Sequence, residues 1–147
     1  MNKLILYLIK FSYVLFIGKI FFYILKLIFS IEVGKGAKFG NNVVFNHLAT
    51  GLVVHQNTKI ADNVILYQGV TLGRADVYCH HSKSKMLGIE IDEGAIICAG
   101  AKVLCKEGTL RVGKNTIIGA NAVLTCSTGD NEIWGGIPAR KLKDRIE

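Results

Sequence analysis

The chain has 147 residues, of which 50% are hydrophobic, and a formal net charge of +7 at pH 7. A chain of this length forms one domain with a real core and leaves little room for a second. Residues 1–30 hold four of the 18 basic residues and none of the 11 acidic ones, so residues 31–147 carry only +3. With no arginine-rich or aromatic-interleaved patch, the sequence argues against nucleic acid as a partner.

The N-terminal segment KLILYLIKFSYVLFIGKIFFYILKLIFSI, residues 3–31, is almost entirely apolar and aromatic. A spanning helix needs roughly 20 consecutive apolar residues, whereas the longest lysine-free stretch is 11–18. The lysines lie seven apart within each pair, which places each pair on one helical stripe. We therefore predict two short amphipathic helices with a break at Gly18. The two pairs are Lys3 with Lys10 and Lys19 with Lys26.

We interpret residues 1–30 as a membrane-interface anchor whose lysines face anionic headgroups. Helices that pack an oligomer are one alternative, and a signal peptide or a true membrane span is the other. The interrupted apolar region and the lack of an Ala-x-Ala-like cleavage site argue against a signal peptide. The four cysteines show no Cys-x-x-Cys spacing and are expected to be reduced. The expected location is cytoplasmic, peripherally attached to the inner face of the cell membrane.

From residue 31 onward an apolar residue recurs every six positions. This period excludes an amphipathic helix, and the frequent turn-prone pairs disfavour a hairpin meander. Three hexads close one triangular coil, so residues 31–137 are predicted to form a parallel β-helix with apolar residues stacked inward in columns. The hexad positions are Val33, Phe39 and Phe45; Val54, Ile60, Leu66 and Leu72; Ile91, Ile97 and Val103; and Val112, Ile118 and Leu124.

Three breaks interrupt the hexads. The phase slips by three residues at 51–53 and at 109–111, and a longer break, RADVYCHHSKSKMLGIE, runs over 74–90. We predict an excursion loop at 74–90, which is either functional or simply solvated. Residues 138–147 form a basic tail, for which a solvated helix end is the plain interpretation. The N-terminal segment and this tail could cover the open edges of the terminal coils.

The runs HLATGLVVHQNTKIADNVILYQGVTLGR, EGAIICAGAKVL, GANAVL and GGIPAR, in this order, resemble the hexapeptide-repeat acyltransferases, and most closely their serine acetyltransferase-like branch. The resemblance covers residues 31–141. Within the branch, the continuation TLGRADVY is similar to O-acetyltransferases of bacterial capsule, exopolysaccharide and O-antigen sugars. The resemblance implies a mainly β fold, a left-handed parallel β-helix that follows the hydrophobic helical segment. It also implies a homotrimer with sites between adjacent prisms, acetyl-CoA as co-substrate and no metal.

By this resemblance His47 is the catalytic general base, which takes a proton from the acceptor hydroxyl as that hydroxyl attacks the thioester. Without the resemblance, a structural or exposed histidine would be the better interpretation. The family pairs the base with an aspartate fifteen residues earlier, and Glu32 stands at that position here. Glu32 would then orient the imidazole and stabilise its charged form.

The remaining site residues are also expectations from the resemblance. Acceptor contacts are expected from Asn46, Tyr67, Gln68 and Arg74. Acetyl-CoA is expected to lie along small residues and to place its phosphates on cations, at Gly73, Ala99, Gly100, Ala101, Gly119, Ala120, Arg140 and Lys141. Trp134 would cover the adenine or cap the last coil.

The identity of the acceptor depends on two departures from serine acetyltransferases. Those enzymes carry an aspartate just before the catalytic histidine and a second histidine in a His-Pro pair, where this chain has Asn46 and aligns near Gly88. A neutral amide binds the serine ammonium less well than a carboxylate does. We therefore expect a sugar hydroxyl of a surface polysaccharide or of a lipid-linked saccharide. Serine or another small molecule is the alternative.

Other interpretations of the remaining histidines, of Cys79 and of the prism stay open. His55 is expected to be exposed and inert, whereas His80 and His81 could reach a site across a subunit boundary. Cys79 beside them would suit an acyl-cysteine mechanism only if its thiol were activated. A non-catalytic assembly module is possible for the same prism. A zinc carbonic anhydrase needs histidines spaced by five, a spacing that the sequence does not contain.

Overall fold

The structure is a computed structural model, and it describes residues 5–9 and 17–146. Residues 5–9 are helical, and helix α1 spans Ile17–Phe29. Gly18 lies in the first turn of α1, and residues 10–16, between the two helical segments, lie outside the described residues. A single glycine costs a helix only about 1 kcal/mol, which the rest of the segment can offset. In the described part of the chain, no helix is long and apolar enough to cross a membrane.

Fifteen short strands follow in the described residues, together with two single-turn 3₁₀ segments at Asn46–Ala49 and His81–Lys83. The strands are β1 Glu32–Val33, β2 Lys38–Phe39, β3 Val44–Phe45, β4 Val53–Val54, β5 Thr58–Ile60, β6 Ile65–Leu66, β7 Thr71–Arg74, β8 Lys85–Ile91, β9 Ile96–Ile97, β10 Lys102–Cys105, β11 Glu107–Val112, β12 Ile117–Ile118, β13 Val123–Leu124, β14 Glu132–Gly136 and β15 Ala139–Asp144.

These strands form three sheets, and each of the first four turns of the chain adds one strand to each sheet. Sheet A has the order β1-β4-β7-β10-β13, sheet B has β2-β5-β8-β11, and sheet C has β3-β6-β9-β12-β14-β15. All pairs are parallel except β14 with β15. Strands that neighbour in space are thus about 20 to 30 residues apart in sequence, the arrangement of a parallel β-helix.

The hexad residues form the three interior columns that the sequence predicted. In sheet A, Val33 pairs with Val54, and the same register continues through the following coils. In sheet C the column begins with Phe45 paired with Leu66. Phe45 and Leu66 are fully buried, and each such side chain contributes about 1.5–3 kcal/mol of transfer free energy. The core is therefore a stack of layers along the prism.

Residues outside the hexads emerge at the corners. The break predicted at 74–90 is shorter in the structure, because β8 begins at Lys85 and pairs with β11, leaving 75–84 as the excursion loop. The C-terminal tail is a strand and not a helix end. Strand β15 pairs antiparallel with β14, whose outer edge would otherwise be open.

The N-terminal helices cover the first coil. Ile5, Ile9 and Leu25 are almost fully buried and belong to the same apolar cluster as the prism interior. The backbone N–H of Gly51 donates to the carbonyl of Phe29, the last residue of α1, at 2.9 Å. Helix α1 is thus fixed to the segment that follows His47.

Candidate active site

His47 lies in a strained turn at the corner between sheets C and A. Strand β3 ends at Phe45, and the next hexad residue is Val54, nine positions later instead of six. The three additional residues are accommodated by left-handed backbone at His47 (φ 51°), Leu48 (φ 57°) and Ala49 (φ 47°). Left-handed conformations of residues with a Cβ cost on the order of 1–3 kcal/mol each and concentrate at functional sites. This turn is therefore the strongest structural indication of a site.

The turn presents the His47 side chain to solvent. Its carbonyl accepts hydrogen bonds from the backbone N–H of Thr50 at 3.4 Å and from the Thr50 hydroxyl at 3.3 Å, and Ala49 is buried beneath it. Asn46 is half-buried on the other side. The backbone is thus fixed by its own hydrogen bonds, and the imidazole is accessible for chemistry.

The Tyr67 ring is the aromatic neighbour of the His47 ring, with centroids 6.0 Å apart and planes inclined by 47°. The contact follows from the register, because Phe45 pairs with Leu66 and each is followed by a corner residue. Next to Tyr67, the side-chain oxygen of Gln68 is buried and has no partner within the described residues. The structure therefore brings Asn46, Tyr67 and Gln68 to the corner that carries His47.

Glu32 forms an ion pair with helix α1. Its carboxylate lies 3.3 Å from the Lys26 ammonium, so α1 supplies its partner. Within the described residues, no hydrogen bond joins the Glu32 side chain to the His47 ring. The predicted pairing of carboxylate and imidazole is therefore not seen among the described residues, where the ion-pair partner of the carboxylate is a lysine of α1.

Small residues continue the corner from His47 toward the C-terminal end of the prism. By register Cys98 and Gly119 follow Tyr67 in successive coils, and the backbones of the corner glycines approach closely. A Cβ on Gly69 would lie 3.5 Å from the Gly100 Cα, and one on Gly100 would clash with the Asn121 side chain. The predicted cofactor residues Ala99, Gly100, Gly119 and Ala120 lie on this line.

Two of the predicted cofactor residues lie elsewhere. Ala101 is fully buried among the interior side chains and cannot contact a ligand outside the prism. Gly73 lies in β7 on sheet A, where a Cβ would approach Leu104 at 3.9 Å. The family motif includes both residues. Successive residues of a strand face opposite sides of the sheet, however, so not every residue of the motif can contact the same ligand.

The C-terminal hairpin separates the two predicted phosphate-binding cations. Lys141 already pairs with Glu132 at 2.8 Å and Asp144 at 2.7 Å, and these carboxylates, Asp144 first, raise the pKa of the lysine. Arg140 is exposed and donates to the carbonyl of Ala139 at 3.1 Å. Arg140 is thus available to a ligand, whereas two carboxylates already compensate the positive charge of Lys141.

Trp134 closes the interior column of sheet C. It pairs in register with Ile118 and packs against the buried cluster. Its indole N–H donates to Glu132 at 2.8 Å. Of the two predicted roles, the structure favours the cap on the last coil.

Arg74 holds the excursion loop instead of a substrate. Its guanidinium donates to the Asp76 carboxylate at 2.8 Å, to the Asp76 carbonyl at 3.0 Å and to the Cys79 carbonyl at 3.2 Å. Hydrogen bonds from Ser84 and then Arg74 hold the pKa of Asp76 well below its ordinary value. The Cys79 thiol donates to the Asp76 carbonyl at 3.1 Å. Cys79 therefore has a structural role in the loop.

The loop docks on the prism through two histidines. The His55 and His81 rings stack with centroids 6.4 Å apart and planes 18° apart. Burial, followed by the charges of His81 and Arg74, lowers the pKa of His55. The prediction of an exposed His55 is wrong, since this ring is half-buried. A groove of about 380 Å³ lies between loop and sheet A, lined in part by Glu32, His55 and His81.

Gly88 lies inside β8 and cannot be replaced by a second catalytic histidine. A Cβ at this position would lie 2.6 Å from the Asn57 carbonyl oxygen. Among the described residues, no group of three or more histidine, cysteine, aspartate or glutamate side chains could hold a metal ion. The candidate chemistry therefore depends on one imidazole and its corner.

Known proteins that are similar to this chain support the same interpretation of the site. No protein-family model matches the chain. It is 37% identical over 112 residues to the serine acetyltransferase of Haemophilus influenzae, which covers 76% of this chain and 39% of that protein. It is 35% identical over 113 residues to the serine acetyltransferase of Staphylococcus aureus, with 77% of this chain and 49% of that protein covered.

Solved structures of serine acetyltransferases are similar as well. The enzyme from Brucella abortus superposes with a TM-score of 0.75 at 29% identity, covering 93% of this chain and 56% of that one. A serine acetyltransferase in complex with CoA gives a TM-score of 0.70 at 32% identity, covering 86% and 48%. The chain spans about half the length of these relatives, or less. The findings support the serine acetyltransferase-like resemblance and do not extend to the capsule and exopolysaccharide enzymes.

Proposed function

We propose that this chain is an acetyl-CoA-dependent O-acetyltransferase in which His47 is the general base. The observation that carries the proposal is the strained left-handed turn that presents His47 at the start of a corner lined by small residues. Similarity to a serine acetyltransferase solved with CoA supports acetyl-CoA as the co-substrate.

In the proposed reaction, His47 removes the proton from the acceptor hydroxyl as its oxygen attacks the thioester carbonyl. The new ester C–O bond forms, the thioester C–S bond breaks, and the proton on His47 passes to the departing CoA sulfur. No acyl-enzyme is required. General-base assistance of this kind contributes about 10²–10⁴-fold in rate.

The small residues of the corner would hold the cofactor arm, with Arg140 at its phosphate end. The arm can lie against the backbone of Ala99, Gly100 and Gly119 because these positions carry little or no side chain. The guanidinium of Arg140 suits phosphate oxygens. Lys141 contributes less, because two carboxylates already compensate its charge.

Serine is the first acceptor to test, because the similar proteins are named serine acetyltransferases. Two observations favour a saccharide hydroxyl as the second candidate. Asn46 offers no charge to a serine ammonium, and the backbone at Gly88 leaves no room for a histidine side chain. The sugar, its hydroxyl and a lipid-linked or polymeric form belong to this second candidate.

A homotrimer is part of the proposal, and the outer face of sheet C supports it. This face carries an in-register ladder of half-buried apolar residues. The outer face of sheet B instead carries charged residues. An apolar sheet face beside the candidate site suits contact with another copy. The ladder comprises Val44, Ile65, Ile96, Ile117 and Ile133.

Attachment to the cytoplasmic face of the membrane is also proposed, for helix α1. Its solvent-facing side carries large apolar side chains, Ile20, Tyr23, Leu27 and Ile28, each at least 59% exposed. The lysines of residues 1–30 would add attraction to anionic lipid. Lys3 and Lys10 lie outside the described residues.

The experiment measures release of the CoA thiol from acetyl-CoA with serine and, separately, with sized fragments of the host surface polysaccharide. Acetylated product is identified by mass spectrometry. Transfer to either acceptor that depends on His47 supports the proposal. Binding of acetyl-CoA without transfer to either would contradict it and favour a non-catalytic module.

A further inference from the structure

Among the described residues, the His47 imidazole has no carboxylate as a hydrogen-bond partner, the partner that a general base ordinarily uses for orientation. A base becomes positively charged when it takes a proton, so it needs a partner that fixes the ring and stabilises this charge. Glu32, the carboxylate expected in this role, forms its ion pair with Lys26 at 3.3 Å. The described residues offer the His47 ring no other acidic hydrogen-bond partner.

Tyr67 is placed to support the imidazole instead. Its ring centroid lies 6.0 Å from that of His47, and the rings are tilted by 47°. The strand that precedes Tyr67, β6, is fixed to β3, the strand that precedes the His47 turn, by the pairing of Leu66 with Phe45, both fully buried. The half-buried Tyr67 is therefore held by the core, whereas the His47 side chain is exposed.

We propose that Tyr67 is the positioning residue for His47 and that its aromatic ring stabilises the imidazolium formed during acetyl transfer. A cation that lies over the face of an aromatic ring, within about 6 Å of its centroid, is attracted by the ring quadrupole. The attraction exists only after His47 has taken the proton from the acceptor hydroxyl. It therefore favours the transition state over the ground state and acts on kcat more than on KM. The inference rests on the proposed function.

The first test compares Tyr67→Phe with Tyr67→Leu in the full chain. Phenylalanine keeps the ring and removes the hydroxyl, whereas leucine removes the ring. Tyr67→Leu should lower kcat about 2- to 5-fold, with little change in KM for acetyl-CoA. The acid limb of its kcat/KM profile should move to lower pH by about half a unit. Tyr67→Phe should keep the wild-type kcat and the wild-type position of the acid limb. Tyr78→Leu, at a tyrosine 77% exposed on the loop, is the matched control.

Two outcomes would overturn the proposal. If Tyr67→Phe loses as much activity as Tyr67→Leu, the hydroxyl is what matters and Tyr67 contacts substrate. If Tyr67→Leu raises KM for the acceptor while kcat and the pH profile stay unchanged, Tyr67 binds the acceptor and does not position His47.

NMR chemical shifts of the His47 imidazole C–H protons separate this inference from the proposed function. The ring-current contribution of Tyr67 should be lost in Tyr67→Leu and kept in Tyr67→Phe and Tyr78→Leu. If that pattern appears while wild-type protein transfers no acetyl group, the proposed function fails but the contact between the rings stands. Chemical shifts that are the same in wild type and Tyr67→Leu contradict the inference, whatever the activity.

Discussion

At the scale of single residues, the left-handed run at His47, Leu48 and Ala49 connects local strain with chemistry. Three additional residues between two hexads cannot continue along the corner, so they form a turn that lifts the imidazole out of the prism. The resemblance located His47 from the sequence. It did not locate Tyr67 as its ring contact or Lys26 as the partner of Glu32, because both depend on neighbouring coils and on α1.

The substitution His47→Ala tests whether the side chain presented by this turn is the general base. Loss of general-base assistance should lower kcat by about 10²–10⁴-fold, while acetyl-CoA binding and thermal stability stay near wild type because the side chain is exposed. His80→Ala is the matched control, since this exposed histidine is engaged with Ser82 in the excursion loop. A His47→Ala variant within threefold of wild-type activity would exclude the general-base role.

At the scale of elements, hexad periodicity predicted the interior columns because each coil repeats one rule, an apolar residue every sixth position. The excursion loop and β15 follow no such rule. Strand β8 begins inside the polar break because its backbone pairs with β11, and β15 forms because β14 offers an edge. The β8–β11 pairing is long-range, whereas β14 and β15 form a local hairpin, and the charged sequence of the tail contains no apolar alternation to reveal that hairpin.

Asp76 should control closure of the excursion loop. Its lowered folded-state pKa means that the carboxylate stabilises the loop fully above its ordinary value of 3.8. This contribution is lost only as pH falls through the lower folded value. Asp76→Asn should therefore increase hydrogen exchange in residues 75–84 at pH 7, and wild type should keep its protection at pH 4. Glu93→Gln, at an exposed carboxylate, is the control. Equal exchange in wild type and Asp76→Asn would show that Arg74 and the backbone suffice.

At the scale of the whole molecule, the faces of the prism differ in chemistry. Sheet B exposes charge, sheet C exposes the apolar ladder, and α1 covers the first coil with an apolar side still facing solvent. Sequence periodicity revealed the interior, but it assigns no partner to an outward-facing residue. The left hand of the coil, the trimer and the membrane contact therefore stay predictions, and each needs its own measurement.

Ile117→Glu should dissociate the proposed trimer. The side chain lies within the apolar ladder, between Ile96 and Ile133, so a carboxylate there would have to be buried unpaired against another copy. Light scattering should report a trimer for wild type and a monomer for the variant. Lys38→Glu, on the exposed face of sheet B, should stay trimeric. A monomeric wild-type protein would remove the trimer from the proposal.

Helix α1 should bind anionic membranes through its exposed apolar side. Leu27 and Ile28 are 79% and 67% exposed, so glutamates at both positions should remove apolar contact and add repulsion without disturbing the core. Full-length protein should sediment with vesicles that contain phosphatidylserine and less with neutral phosphatidylcholine vesicles. Each lysine near the surface contributes about 1 kcal/mol, and salt should therefore weaken binding while the apolar contact retains part of it.

The matched control for this membrane experiment is Leu87→Glu, at a leucine 71% exposed on β8 and away from the helix. It should bind vesicles like wild type, because its single glutamate replaces one exposed leucine on another face. If wild type shows no affinity for anionic vesicles, and the glutamates at Leu27 and Ile28 instead dissociate the oligomer, then α1 packs copies of the chain together. The helix would then complete the assembly and would not bind lipid.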